Sequence, residues 1–153
     1  MRMTSMHQPA PPIAYLLACA STLAARRADE KLRPHGLTIR QFGLLHQLRL
    51  EPELTMSELA QQLGIARQSV HQLINELEQA GHLRRLPGAS YRTRRLEVTD
   101  TAQYLLSRMS GALDGAETGL LGGLDPDEVE TLRLLLRRLL AHATDDETWM
   151  SDG

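Results

Sequence analysis

The chain has 153 residues, a formal net charge of −2 and 42% hydrophobic residues. This length fits one small domain with a modest core, and no apolar run approaches the roughly 18 residues that a membrane-spanning helix needs. The single cysteine, Cys19, excludes an internal disulfide and favours a reducing compartment, and the N-terminus lacks the apolar stretch of a secretory signal. We therefore expect a soluble, cytoplasmic protein with no membrane partner.

An apolar stripe at helical spacing predicts a first helix that runs towards Pro34. The stripe consists of Ile13, Leu16, Leu17, Ala20, Leu23 and Ala24. A flexible tail is expected over residues 1–12. Cys19 lies on this helix, where a lone cysteine is usually a small buried hydrophobe, and oxidant sensing is the weaker alternative. A second helix should follow Thr38 and bury Phe42, Leu45 and Leu48.

Residues 55–81 predict a helix-turn-helix. Thr55 and Glu58 form a capping box that opens the first helix, and Gly64 closes it. A second helix ends at Gly81, and its apolar stripe consists of Val70, Leu73, Ile74 and Leu77. The first two turns of that helix are polar outside and carry candidate contacts to phosphates and to base edges in a major groove. These residues are Arg67, Gln68, Ser69, His71 and Gln72.

After Gly81 the pattern predicts a hairpin with an exposed tip at Pro87-Gly88. Five arginines lie in it with no acidic residue between Leu83 and Leu96, and they are Arg84, Arg85, Arg92, Arg94 and Arg95. Arginine suits phosphates and narrow minor grooves, so all five are candidate DNA contacts. Residues 66–96 hold six arginines and two glutamates, a local charge of +4, whereas residues 97–153 hold twelve acidic residues and four arginines, a charge of −8. The basic patch can therefore act locally on an acidic protein.

Two helices complete the chain. Thr99 should cap a long helix towards Leu121, in which glycines predict a bend, a break or the close approach of another helix. Asp125-Pro-Asp-Glu128 predicts the start of a last helix, because it combines a capping aspartate, an early proline and a glutamate three residues on. Its wide apolar side consists of Val129, Leu132, Leu135, Leu136, Leu139 and Leu140. So many leucines on a terminal helix favour packing against a partner, and packing within the chain is the alternative.

Three segments of the chain resemble the MarR family of winged-helix regulators. They are Leu37-Thr-Ile-Arg-Gln-Phe42, Thr55-Met-Ser-Glu-Leu-Ala60 and Leu96-Glu-Val-Thr99, and the resemblance runs from about Ile13 to Ala143. It implies a mainly α fold with a small β wing, which is a winged helix-turn-helix with N- and C-terminal dimerisation helices. The expected division is a single domain over 13–143, with the winged lobe at 38–98, dimerisation helices at 13–34 and 99–143, and an acidic C-terminal tail at 144–153.

The chain departs from the family pattern at two positions. Ser90 stands where the family wing usually carries an aspartate, although Arg92 is retained two residues later. Ala66 stands where a hydroxyl or carboxylate normally caps the recognition helix, and the loss of such a cap typically costs about 0.5–2 kcal/mol. Both departures affect the expected DNA-reading elements.

The resemblance implies a sequence-specific DNA-binding transcriptional regulator, a ligand- or stress-responsive repressor that binds a pseudo-palindromic operator on double-stranded DNA as a homodimer. A small-molecule effector would then bind near Tyr15, His46 and Tyr104. No catalytic motif is present and the six histidines show no ligand-like spacing, so we expect no enzyme activity, no cofactor and no metal. The alternative is a winged-helix dimerisation or protein-interaction module without DNA binding, which Ala66 and Ser90 favour and the wing arginines oppose.

Overall fold

Residues 8–87 and 95–151 are described by the structure, a computed structural model. Its described part contains six α-helices and a two-stranded antiparallel hairpin. The elements are α1 Ile13–Leu32, α2 Ile39–Leu50, α3 Met56–Leu63, α4 Arg67–Gln79, β1 Leu83–Leu86, β2 Arg95–Val98, α5 Asp100–Leu120 and α6 Pro126–Thr144, with short 3-10 helices at Arg33–His35 and Glu147–Met150. The predicted mainly helical fold with a small β wing is confirmed. None of the helices in the described ranges has the length and apolar character needed to span a bilayer.

Side-chain caps set most of the helix starts. Thr38, Thr55 and Asp125 each form a capping box with the residue three positions later, and Thr99 accepts a bond from the Ala102 amide. Gly64 ends α3 in the left-handed region, with a φ of 65°. Two helices lack such a cap: Pro12 precedes α1, and Ala66 precedes the recognition helix α4 and provides no side-chain bond to its free amides.

The core lies where α2, α3, α4, the hairpin and the first half of α5 meet. Its largest fully buried side chains are Leu32, Leu44, Leu45, Leu48, Leu59, Ile74, Leu77, Leu106 and Val70. Leu45 and Leu48 are buried as predicted, whereas Phe42 is only half-buried and stacks on the ring of His46 with 5.9 Å between ring centroids. This core therefore holds the helix-turn-helix and the base of the hairpin as one unit.

The glycines of α5 neither break nor end the helix, which continues from Asp100 to Leu120. Gly119 allows a close approach, since a Cβ atom there would lie 2.9 Å from Nη1 of Arg27 on α1. Of the three outcomes left open by the sequence, a break within the helix is therefore excluded, and what approaches Gly119 is a flexible side chain of α1 and not its backbone.

Both terminal helices leave apolar side chains exposed. The exposed members are Ile13, Leu16, Leu17 and Leu23 on α1, and Leu134, Leu135, Leu136 and Leu139 on α6. None of the residues of α6 is fully buried, and three leucines of the predicted apolar side stay exposed, so the alternative that these leucines pack only within the chain is wrong. Cys19 is also exposed, and the prediction of a buried cysteine is wrong for the single chain because no element within residues 8–87 and 95–151 covers this side of α1.

Polar contacts tie the terminal helices to the rest of the chain. Asp29 on α1 accepts a bond from the Ile39 amide at 2.7 Å, and Gln61 on α3 donates to the Thr144 carbonyl at 3.4 Å. The chain then folds back along α6, where the Arg137 guanidinium donates to the carbonyls of Trp149 and Ser151 at 2.6 and 2.8 Å. Much of the expected C-terminal tail is therefore a 3-10 turn packed on α6.

Candidate nucleic-acid interface

The recognition helix α4 buries one side and exposes the other. Val70, Ile74 and Leu77 are buried in the core, and the opposite side faces solvent. Four of the five residues predicted as contacts are exposed on that side, namely Arg67, Gln68, His71 and Gln72, while Ser69 is half-buried. Their spacing places them on adjacent turns of one helix face, where side chains can reach a groove together.

A chain of hydrogen bonds joins this face to the start of α2. The Thr38 amide donates to Oε1 of Gln41 at 3.0 Å, and Nε2 of Gln41 donates to Oε2 of Glu76 at 3.1 Å. Nε2 of Gln72 donates to the other carboxylate oxygen of Glu76 at 3.3 Å. Glu76 was not among the predicted site residues, although its position four residues after Gln72 is a spacing at which helical side chains meet.

The register of the hairpin separates its inner and outer sides. Leu83 pairs with Val98, Arg84 with Glu97, Arg85 with Leu96, and Leu86 with Arg95. Because side chains alternate along a strand, Arg85 shares its side with the buried Leu96, whereas Arg84 and Arg95 lie on the opposite side. The arginines of the wing are therefore not equivalent.

Arg85 is held by the recognition helix. Its Nε donates to Oε2 of Glu78 at 2.8 Å, and its Nη2 donates to Oδ1 of Asn75 at 2.6 Å. On the other strand, Arg95 forms an ion pair with Glu53 in the connection between α2 and α3. No acidic residue lies between Leu83 and Leu96, yet these two arginines are paired, because their partners come from other elements of the fold.

Of the three remaining wing arginines, only Arg84 lies within the described residues. Arg84 is exposed and forms no hydrogen bond or ion pair within the described ranges. Arg92 and Arg94 lie outside the described residues, as does Ser90. Their expected contacts with a minor groove stay predictions.

The expected effector residues lie away from two clefts that border α6. Tyr15 and Tyr104 are 62% and 65% exposed, and the Tyr104 hydroxyl accepts a bond from Arg108 at 3.2 Å. Clefts of about 520 and 610 Å³ lie between α5 and α6 and beside the C-terminal turn, and neither includes Tyr15, His46 or Tyr104. The effector pocket stays a prediction. Among the described residues, no cluster of three or more His, Cys, Asp or Glu residues could hold a metal ion.

Two half-buried histidines have a lowered pKa. Burial lowers the pKa of His46, and the neighbouring Arg49, whose Nη2 lies 3.2 Å from His46 Nδ1, lowers it further. Burial also lowers the pKa of His82 at the base of the wing, where its Nδ1 has no hydrogen-bond partner among the described residues. Both rings therefore favour the neutral form in the folded chain.

A hairpin that follows a helix-turn-helix, with a polar and exposed second helix, defines a winged helix-turn-helix protein. Comparison with known proteins gives the same class and a family. The model of the MarR family matches residues 35–95, which include the helix-turn-helix and β1. Residues 35–95 of this chain therefore match the MarR family, and the chain as a whole has the fold of MarR-family structures.

Solved structures resemble the chain over most of its length. A MarR-family transcriptional regulator from Rhodococcus sp. RHA1 has a TM-score of 0.76 at 21% identity, over 84% of this chain and 91% of that one. A Mycobacterium tuberculosis MarR family protein in complex with p-aminosalicylic acid has a TM-score of 0.71 at 26% identity, over 84% and 98%. Apo MarR from E. coli has a TM-score of 0.73 at 24% identity, over 86% and 99%.

Proposed function

We propose that this protein is a sequence-specific DNA-binding transcriptional regulator. The observation that carries the proposal is the exposed polar side of α4, where Arg67, Gln68, His71 and Gln72 lie together. These side chains can bond to phosphates and to base edges, and a helix held in this way can enter a major groove. Support also comes from a DNA complex of the Mycobacterium tuberculosis MarR family protein, which has a TM-score of 0.66 at 24% identity.

The functional unit in this proposal is a homodimer. The exposed apolar sides of α1 and α6 favour a second copy as their cover, because a lone soluble chain rarely leaves such patches in contact with water. We accordingly assign residues 13–34 and 99–143 to dimerisation and residues 38–98 to DNA reading. Two reading helices related by a twofold axis call for a pseudo-palindromic operator, with half-sites about 10 base pairs apart.

Regulation is proposed as ligand-dependent repression. A Mycobacterium tuberculosis MarR family protein has been solved with salicylic acid, and CouR from Rhodococcus jostii RHA1 with p-coumaroyl-CoA. A small-molecule effector near Tyr15, His46 and Tyr104 is proposed by analogy, and the stacked rings of Phe42 and His46 offer an aromatic wall. The effector would act by favouring one distance between the two α4 helices of the dimer over another.

A second candidate function is a dimerisation or protein-interaction module that does not bind DNA. The ion pairs of Arg85 and Arg95 favour it, because they reduce the positive charge that the wing presents to phosphates. The uncapped start of α4 at Ala66 favours it as well. Against it stand the exposed Arg67 and Arg84, which serve no structural contact within the described residues.

The test is selection of genomic DNA fragments by the purified protein, followed by salt titrations on the enriched duplex and on a scrambled one. Enrichment of an inverted repeat, with tighter binding than to scrambled DNA, is expected. Arg67→Ala should weaken binding and reduce the salt slope, whereas the control Arg108→Ala, which removes the same charge from α5, should change neither. No enrichment with reduced or with oxidised protein would support the interaction module instead.

The dimer is tested separately by its dependence on concentration. Leu139→Asp introduces a charge on the exposed apolar side of α6, and the charge is costly only if a partner covers that side. Sedimentation should show a dimer for the native chain and a monomer for this variant. Arg138→Ala makes the same net change of charge, −1, at the neighbouring exposed residue as a control, and equal dissociation of both variants would point to a general charge effect.

A further inference from the structure

We propose that Glu76 is a positioning residue that sets the base preference of α4 by holding the side-chain amide of Gln72 in the orientation that reads adenine. The inference rests on the proposed DNA binding. It goes further by naming adenine as the base at one position of each operator half-site. It starts from the hydrogen bonds that join Gln41, Glu76 and Gln72, none of which involves the core.

The orientation of the Gln41 amide is determined at its carbonyl end. The backbone N–H of Thr38 lies 3.0 Å from Oε1 of Gln41, and a backbone N–H can only donate, so the carbonyl end of this amide must face Thr38. The amide nitrogen then points to the other side, where Oε2 of Glu76 accepts at 3.1 Å. The capping box of α2 therefore fixes one carboxylate oxygen of Glu76.

The second carboxylate oxygen fixes Gln72. An ionised carboxylate has acceptors and no donor, so the group that faces Oε1 of Glu76 at 3.3 Å must be the amide nitrogen of Gln72 and not its carbonyl oxygen. An exposed glutamine can normally exchange the positions of its amide oxygen and nitrogen by rotation. The bond to Glu76 allows only one of these two orientations. Because Gln72 is exposed and uses one N–H for this bond, its carbonyl oxygen and its second N–H are left for a base.

One acceptor beside one donor is the pattern that complements adenine in the major groove. Adenine offers the N6 amino group as a donor and N7 as an acceptor, and a glutamine amide can satisfy both at once. Guanine offers two acceptors, N7 and O6, so the fixed amide oxygen would face O6 without a proton between them. We expect adenine to be favoured over guanine opposite Gln72 by roughly 10-fold or more in each half-site.

Gln68 provides the matched comparison on the same helix face. It is exposed, lies one turn before Gln72, and has no hydrogen-bond partner within the described residues. Its amide is free to turn either way, so it can adapt to more than one base. A difference in selectivity between the two glutamines would therefore come from Glu76 and not from the residue type.

The first experiment uses the protein without DNA. Side-chain amide resonances of Gln72 and Gln68 are followed by NMR in the native chain and in Glu76→Ala. The expected result is a large change at Gln72, with faster hydrogen exchange after the substitution, and little change at Gln68. If Gln72 and Gln68 behave alike in the native chain, the amide is not held and the inference is overturned whatever DNA the protein binds.

The second experiment measures binding to the enriched operator with each of the four base pairs at every position of a half-site. The native chain should prefer adenine at one position that Gln72→Ala makes indifferent. Glu76→Ala should reduce that preference to about 2-fold, and Gln68→Ala should affect a different position. An equal loss of affinity on all bases from Glu76→Ala would show a merely structural role and overturn the inference.

The two proposals fail in distinguishable ways. Selection of an operator whose adenine preference survives Glu76→Ala would overturn this inference and leave DNA binding intact. A chain that shows the held Gln72 amide by NMR but enriches no duplex would overturn the proposed function, and the base preference would fall with it. The folded state of each variant is checked by its circular dichroism and its dimer content before binding is measured.

Discussion

Arg85 was predicted as a DNA contact, and its position in the fold leads to a different expectation. Its side chain lies on the inner side of the wing and donates to Glu78 and Asn75 on α4, at 2.8 and 2.6 Å. To reach a phosphate it would have to give up both bonds. We therefore expect Arg85 to hold the wing against the recognition helix, and the exposed Arg84 to make the phosphate contact.

The size of the effect follows from exposure. The side chains of Arg85 and Glu78 are 30% and 43% exposed, so their ion pair is screened by water, and such pairs contribute about 0.2–1 kcal/mol. The bond to Asn75 adds a hydrogen bond to a charged group, which is only partly desolvated at this exposed position. We expect Arg85→Ala to lower the free energy of unfolding by about 1–2 kcal/mol, and Arg84→Ala to lower it by less than about 0.5 kcal/mol.

The assay is urea unfolding at a fixed protein concentration, because dimerisation makes the apparent stability depend on concentration. A double-mutant cycle of Arg85→Ala with Glu78→Ala should give a coupling of about 0.5–1 kcal/mol, whereas the cycle with Arg84→Ala should give none. Hydrogen exchange should also accelerate in β1 and β2 of the Arg85 variant, because the wing loses a contact to α4.

DNA binding separates the two arginines. The slope of log affinity against log salt should fall by about one for Arg84→Ala, which loses a phosphate contact, and stay unchanged for Arg85→Ala. The reasoning would be refuted if Arg85→Ala cost no stability, showed no coupling to Glu78 and reduced the salt slope by about one. That result would place Arg85 on a phosphate and make its contacts to α4 incidental.

Three further expectations concern the wing, its base and the start of α4. Glu53→Gln should tighten DNA binding and steepen the salt slope, because it frees Arg95 from an exposed ion pair, and weaker binding would contradict this. The free energy of unfolding should fall as the pH drops below about 6.5, because His82 has a lowered pKa when folded and binds its proton more readily when unfolded. His82→Asn should flatten that decline in urea unfolding, and an unchanged slope would show that His82 does not contribute. Ala66→Ser should raise the free energy of unfolding by about 0.5–2 kcal/mol by capping α4, and no change would mean that another group already satisfies these amides.

Local signals were enough to place most of the helix starts and the two strands of the hairpin. Thr55 with Glu58, and Asp125 with Glu128, form capping boxes between residues three apart, so the pattern is complete within one helical turn. The exposed polar side of α4 was predictable in the same way, because the spacing of its apolar residues determines which side faces the core.

Contacts between distant parts of the chain were not predictable. Gln41 and Glu76 are 35 residues apart, and Arg95 and Glu53 are 42 residues apart, so these contacts depend on the packed fold. Whether Arg85 faced inward depended on the pairing register, since a shift of one residue moves a side chain to the other side of a strand. Counting arginines in the hairpin therefore overestimated the charge that is left for phosphates.

The environment of Cys19 depends on assembly. Its apolar neighbours predicted burial, and the single chain leaves it exposed because α1 turns that side away from its own core. In the proposed dimer the same stripe would be covered by the partner. Burial of this residue is therefore a property of the assembly and not of the chain.

In the proposed dimer a second copy covers the leucine side of α6, so a newly made chain exposes this side until it assembles. Because α6 buries none of its residues in its own chain, the single chain presents a patch that chaperones, proteases and other exposed apolar surfaces can bind. Unassembled chains should therefore be degraded faster than chains in the proposed dimer. When few copies are made, most chains stay single, so the level of the proposed regulator would fall more steeply than its rate of synthesis. The change from an occupied to an empty operator would then be sharper, although the DNA affinity of the dimer is unchanged.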